Sequence, residues 1–335
     1  MQIKRIFLSL MTLSVVTAQC QYGVIAKGDE PRFAGVEFYG SSQVTKLELE
    51  KMLGIKPGAS ASATESARKR IEKQLEARHL DARVEVVQES GNELYVVVDL
   101  PDSGEEAPLR RFNAPHHVSV RTEKPFIVLA DLKARIAEVE GQGRDVKEIM
   151  NNGFRSFSDE PCNQFVTEIR KYAGVMREEL IAVVDADPSP ERRVQAIELL
   201  GWAGEFPDSM VRVIPAIDDV DPEVRASADR FIFPRLALLP PNFPYQQLVA
   251  AWSRQITRRS HEDRAKGLYC LLALCTVHPQ VIHSVRLASA TRVQQLATST
   301  ILPTVKNPAD QLLVLFAKDA KPKPTHGLPF LQGQD

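Results

Sequence analysis

Side-chain chemistry in this chain would have to be drawn from its seven histidines and four cysteines. His116-His117 is the one adjacent histidine pair, and two neighbouring ligands without a third close by make a poor metal site. His261-Glu262 is the one His-Glu dipeptide. His278 and His283 straddle Pro279 and read as structural side chains. Cys270 and Cys275 lie five apart on one helical pattern, about 140° around it, so they cannot bond each other without breaking the helix. Neither has CxxC spacing, and both read as small buried hydrophobes; a disulfide from Cys162 to one of them is the alternative. The sequence holds no GxSxG, HExxH, P-loop or glycine-rich dinucleotide turn. No catalytic residue, metal or cofactor is therefore expected. The contrary expectation is a hydrolase or lyase whose pocket lies between two modules and uses His116, His117 and Asp131.

The residues that do recur at fixed spacing are arginines. SPERRVQAIELL starts at Ser189 and DPEVRASADRFI at Asp221, 32 residues apart. Each opens on an N-cap residue, then Pro190 or Pro222 at the first helical position, then Glu at the positive end of the helix dipole. Arg193 matches Arg225, and Ala196 matches Ala228. A looser copy starts at Ser260 with Arg264 and Gly267 in register, and Asn307-Pro308 offers a fourth capped start. Shorter amphipathic segments precede the first three: Arg177 to Val184, Ser209 to Ile217 and Tyr245 to Ile256. Helix pairs at such a period predict an all-α solenoid over residues 126–318. The pattern resembles HEAT repeats, broadly over residues 145–318 and best over 176–276. Arg193, Arg225 and Arg264 are expected to form a structural ladder with carboxylates such as Asp187 and Asp219; an anion-binding stripe is the alternative. Trp202 and Trp252 are expected in the core. The resemblance implies a concave partner-binding face, to which Gln195, Glu198, Asp229 and Arg230 are assigned.

Residues 31–102 alternate between the two periods of regular structure. Phe33 to Tyr39 has the two-residue period of a strand; Leu47, Leu49, Met52 and Leu53 have helical spacing. Ser62 with Glu65 suggests a capping box for a second helix, with Ala67, Ile71 and Leu75 as its buried stripe. Two further strands alternate at Val84 and Val86, and at Leu94, Val96, Val98 and Leu100, joined by a turn at Ser90-Gly91-Asn92. This β-α-α-β-β order, with the LGIKPG turn between the helices, resembles a POTRA domain. The resemblance implies a periplasmic module, or its plastid counterpart, that binds partner polypeptides, often by adding a strand at its sheet edge. Arg83, Glu85 and Val87, on the strand from Arg83 to Gln88, are the candidate partner-binding residues of that edge. Residues 103–125 read as a linker with one short strand at Val118 to Arg121. The chain ends on Gly333-Gln334-Asp335, not on the aromatic-ended strand of a barrel, so no barrel of its own is expected.

Lys4 and Arg5 precede an apolar stretch from Ile6 to Ala18, closed by small residues at Val16 and Ala18. This predicts a signal peptide, residues 1–18, cleaved after Ala18. Thirteen residues are too few to span a bilayer, which takes about 20. Thr17 and Gln19 do not fit the lipidation pattern that Cys20 would need. Residues 19–30 read as a short linker and 319–335 as a disordered Pro-rich tail. The formal net charge of −1 offers no field to draw in nucleic acid or an anionic membrane. The expectation is thus an α+β POTRA-like module followed by HEAT-like repeats, exported to the periplasm or released. It would be a non-catalytic interaction or scaffold protein of the bacterial cell envelope, associated at its periphery, an accessory to outer-membrane assembly or secretion. Its partner would be a protein. A structural envelope protein is the further alternative.

Overall fold

The computed structural model describes residues 30–40, 43–89, 91–100, 109 and 116–319. The expected leader, Cys20 and the tail from residue 320 lie outside them. The order is β1 (Arg32–Gly40), α1 (Lys46–Leu53), α2 (Ala61–Glu76), β2 (Arg83–Glu89) and β3 (Glu93–Leu100), then a mainly helical remainder. The chain is an α+β N-terminal part followed by a helical C-terminal part.

Local chemistry sets the ends of the first helices. The Thr45 hydroxyl accepts from the Glu48 N–H at 3.2 Å, and the Glu48 carboxylate accepts from the Thr45 N–H at 2.8 Å, a reciprocal capping box. Gly54, at φ 62°, ends α1 in the left-handed conformation that glycine adopts without strain. The box expected at Ser62 and Glu65 does not form. Ser60, directly after the turn at Gly58, caps α2 by accepting from the Ala63 N–H at 3.3 Å, and Glu65 pairs with Arg68 at 2.9 Å.

The sheet order is β1-β3-β2, with β1 parallel and β2 antiparallel to the central strand. α1 and α2 cover one face, where Phe33, Val36, Val84, Val96 and Val98 pack on Leu49, Leu53, Ala67, Ile71 and Leu75. The other face sends Tyr95 and Val97 into the helical core. β3 is therefore covered on both faces, which is why its residues after Glu93 are all buried and its apolar run is nearly continuous.

The helical part holds α3 (Lys124–Gly141), α4 (Glu160–Ala173), α5 (Arg177–Ala186), α6 (Pro190–Leu200), α7 (Phe206–Val213), α8 (Pro222–Ile232), α9 (Tyr245–Gln255), α10 (His261–Val277), α11 (Ile282–Ser299) and α12 (Pro303–Asp319). One layer runs α6, α8, α10, α12; the other runs α5, α7, α9, α11, with a 3-10 turn at Ile214–Asp218 bridging α7 to α9. α3 and α4 pack against each other and against α6. No single described helix is long and apolar enough to cross a membrane.

Three further sequence expectations are corrected. Val118 to Arg121 forms no strand: side chains meet its backbone instead, Asp187 accepting from the Val118 N–H at 3.2 Å and Glu179 from the Arg121 N–H at 2.7 Å. No helix starts at Asn307-Pro308; α12 starts at Pro303, and Pro308 lies buried inside it, at the cost of one backbone hydrogen bond. Cys162, Cys270 and Cys275 are all free and buried, without the disulfide. The helical reading also passed over a hairpin, β4 (Glu148–Asn151) and β5 (Phe154–Phe157). Its turn residues Asn152 and Gly153 have φ of 48° and 83°. Both are positive, the requirement that Asn-Gly meets in a two-residue hairpin loop.

Gly153 is also a packing site. A Cβ there would lie 2.6 Å from Leu238 Cδ1 and 2.7 Å from Phe206 Cε2. Gly153→Ala is expected to cost more than about 2 kcal/mol, from backbone strain and overpacking together. Gly141→Ala, with nothing within 4 Å of the new methyl, should be neutral or slightly stabilising. Urea unfolding of both variants checks the contrast.

Candidate functional site

The three recurring arginines share one geometry. In each, Nη1 donates to the carbonyls five and six residues back: Arg193 to Asp187 at 2.9 Å and Pro188 at 3.2 Å, Arg225 to Asp219 at 2.9 Å and Val220 at 3.1 Å, Arg264 to Arg258 at 3.1 Å and also to Arg259. The guanidinium closes the turn that leads into its own helix. Its remaining nitrogens reach onward to a carboxylate of the next unit. Arg193 makes a two-point bond to Asp219 at 2.8 and 3.1 Å, and Arg225 makes one to Asp263 at 2.6 and 3.1 Å. Arg264, at the end of the row, meets no helix. It reaches Asp99 of β3 at 2.9 Å, across 165 residues of sequence.

The sheet therefore takes the place of a next helical pair. Around Asp99, the His261 N–H donates to the second carboxylate oxygen at 3.3 Å, and the Arg264 guanidinium stacks on Tyr39 at 4.0 Å. The Ile301 N–H donates to Glu37 at 2.9 Å, Thr304 bonds Glu89, and Arg292 bonds the Tyr39 hydroxyl. Burial pushes the Asp99 carboxyl up to about 6, against the pull of Arg264. Burial also raises Glu37 and Glu89, and holds the buried His261 down to about 3. At neutral pH His261 is uncharged, so its 3.6 Å approach to Glu85 is no ion pair.

At the other end of the row Asp187 has no arginine of a preceding unit. Arg192 at 3.2 Å, the Val118 N–H and His117 at 3.6 Å surround it. His116 donates its N–H to Ala186, and His117 and Asp131 are exposed. The pocket expected of His116, His117 and Asp131 between the modules is not what these residues build. The histidines serve the start of the ladder, whereas the sheet docks at its far end. His278 is buried with both ring nitrogens engaged, by the Tyr245 hydroxyl at 3.1 Å and the Leu236 carbonyl at 2.8 Å. No group of three metal-ligating side chains occurs among the described residues.

The partner-binding candidates divide. Arg83 is exposed and pairs with Glu85. Glu85 and Val87 do not face a partner: Glu85 turns to His261, and Val87 packs on the helical core. The two-residue alternation sets them on the array side, and Val84 and Val86 on the side of α1 and α2. What β2 leaves open is backbone. The Val84 carbonyl points outward and meets Arg68 at 3.4 Å. By ladder alternation Val86 and Gln88 point the same way, and no hydrogen bond among the described residues meets their outward groups. At the start of the β1 edge, Gly58 and Ala59 bond both backbone groups of Phe33 at 2.8 and 2.9 Å.

On the helical side, Asp229 is a correction. It is 4% exposed and accepts from Trp252 Nε1 at 2.9 Å and Gln255 Nε2 at 2.6 Å, so it belongs to no binding face. The α8 helix is buried almost all round, which the polar identity of Asp229 conceals. Gln195 is half-buried on α6. Glu198 and Arg230 come together in one small cleft, Glu198 held by Lys133 at 2.7 Å. The sequence reading missed Asp99, Asp263 and the buried Arg258, which donates to the Ile217 carbonyl at 2.8 Å and pairs with Asp218. Asp99 carried a signal, a lone charge in an apolar strand run.

No family model, curated protein or solved structure matches this chain.

Removing Asp99 leaves a buried guanidinium uncompensated. Asp99→Ala is expected to cost about 3–5 kcal/mol, and Asp99→Leu with Arg264→Met to recover most of it. A double-mutant cycle in urea measures the coupling. Asp229 gives a pH prediction. Burial raises its carboxyl from 3.8 to about 6, so the folded state holds the proton more tightly than the open chain does. Its contribution is fully present below pH 3.8 and is lost as pH rises through 6, a change of about 3 kcal/mol. Asp229→Asn, with the Gln255 amide turned to accept, is expected to remove that part of the pH dependence. Unfolding of both proteins between pH 4 and 8 measures it.

Proposed function

We propose that this chain is an exported, non-catalytic interaction protein of the bacterial cell envelope, an accessory to outer-membrane assembly or secretion. In this reading a POTRA-like module and a solenoid of HEAT-like repeats form one binder, and a partner segment adds as a strand along β2. The observation that carries it is the β2 edge, where no hydrogen bond among the described residues meets the outward backbone groups of Val86 and Gln88. An unpaired edge is a template for another strand, with main-chain bonds supplying affinity. The docked array supports the reading by holding β2 rigid through its other face. The leader-like residues 1–18, the β-α-α-β-β order and the repeated arginine turn are its further supports.

The test uses Gln88→Pro. Proline removes an outward N–H without touching the ladder to β3, a change that edge strands tolerate. A photo-crosslinking residue at the exposed Arg83 position, in the exported protein, is expected to capture a partner polypeptide. Gln88→Pro should abolish the adduct while shifting the unfolding midpoint little, by about 0.5 kcal/mol or less in stability. An adduct that persists in a folded Gln88→Pro protein rules out strand addition.

A further inference from the structure

Arg235 is a buried cation without a counter-ion. It follows α8 in a 3-10 turn, is 1% exposed, and lies between the rings of Phe206 and Phe231, each 4.7 Å away. Nη1 donates to the Phe231 carbonyl at 2.6 Å and Nη2 to that of Gly201 at 3.2 Å. Nε is buried and unpartnered, and no carboxylate of the described residues forms an ion pair with Arg235. An uncompensated charge in an apolar site is costly, and a lost donor bond adds to the cost. Burial first, and then the neighbouring Arg155, push the guanidinium down to about 9, against the weaker pull of Glu148.

The same cleft contains Arg155, Arg230, Ser227, Glu198 and Gly201. Arg155, on β5, stacks over Trp202 at 4.6 Å, bonds Glu148 at 3.4 Å through Nη1, and leaves its own Nε buried and unpartnered. A Cβ on Gly201 would lie 3.2 Å from Arg235 Nη2 and 3.9 Å from Arg155 Nε, so two guanidinium groups converge over a glycine floor. Arg230, at the rim, donates to Ser227 at 2.9 Å. The one carboxylate lining the cleft, Glu198, lies 2.7 Å from Lys133 Nζ, and its buried Oε2 makes no hydrogen bond, so it opposes part of the positive charge. The cavity has a volume of about 20 Å³, room for a single oxygen at its floor.

We infer that this cleft binds a carboxylate group, one oxygen seated between Arg155 and Arg235 and the remainder of the ligand leaving past Arg230. Two unpaired N–H donors and an excess of positive charge define the chemistry, and the narrow floor admits a single oxygen of the ligand. The residues are separate from the β2 edge, so the inference stands or falls independently of strand addition.

The experiment titrates the folded full chain with sodium acetate at constant ionic strength, sodium chloride making up the balance, and reads Trp202 fluorescence. A saturable change is expected, weakened at least tenfold in Arg235→Met and in Arg155→Gln, and absent in Trp202→Phe. N-acetylaspartate amide should reproduce it and N-acetylasparagine amide should not. An acidic tripeptide binding at least tenfold more tightly than acetate assigns the carboxylate to a protein segment; equal affinity assigns it to a small free acid. Arg235→Met replaces an unpaired charge by an apolar side chain and should fold at least as well as the parent. Should it not fold, Arg155→Gln, on the surface hairpin, carries the test. No saturable change with acetate or the aspartate amide overturns the inference, as does a response that Arg235→Met retains in full.

Discussion

A guanidinium placed in a protein interior must find acceptors for its donors and a negative charge for its own. Arg193, Arg225 and Arg264 meet both demands in the same way, and much of the molecule follows from it. Half of each side chain closes the turn before its helix; the other half needs a carboxylate from outside the unit. That second need runs in one direction along the array. It is satisfied twice by helical neighbours, through Asp219 and Asp263, and at the end by the sheet, through Asp99. The sheet is thus an energetic part of the array, since without it the final arginine would be buried and unpaired.

Docking at that end determines what the N-terminal part can present. With α1 and α2 on one face and the array on the other, β3 becomes a doubly covered central strand and three carboxylates of the array-facing side, Glu37, Glu89 and Asp99, are held above their ordinary range by burial. Side chains of β2 that would face solvent in an isolated module, Glu85 and Val87, become interface. The open resource is the outward backbone of the same strand, which depends on hydrogen-bond alternation and not on side-chain identity. The array treats its charges unequally: the ladder arginines are matched one to one, whereas Arg235 is buried as deeply with hydrogen bonds to carbonyls only and no carboxylate of the described residues in ion-pair contact. This imbalance marks its cleft as a binding site.

Much of the local structure was legible in the residues. The Ser189-Pro190-Glu191 and Asp221-Pro222-Glu223 starts are helix N-termini in the structure, because capping and the fixed proline φ act within four residues. The hairpin at Asn152-Gly153 was equally local and could have been read from that dipeptide. Ser62 and Pro308 misled for a related reason: a capping residue or proline is compatible with several starts, and tertiary packing chooses among them. Asp229 looked like a surface residue because polarity normally marks exposure, yet Trp252 and Gln255 provide its bonds from a helix 23 and 26 residues away.

The sequence by itself determined the order of the N-terminal elements, the starts of α6 and α8 and the register of the arginines, because caps, turns and periodicity are interactions between residues a few positions apart. Only the tertiary structure decided where each arginine finds its charge, which outward backbone groups of β2 stay open and which buried cation is left without an ion-paired carboxylate. Those outcomes depend on contacts such as Arg264 to Asp99, between segments with no sequence relation, and burial sets their strength by removing the water that would otherwise satisfy each group alone.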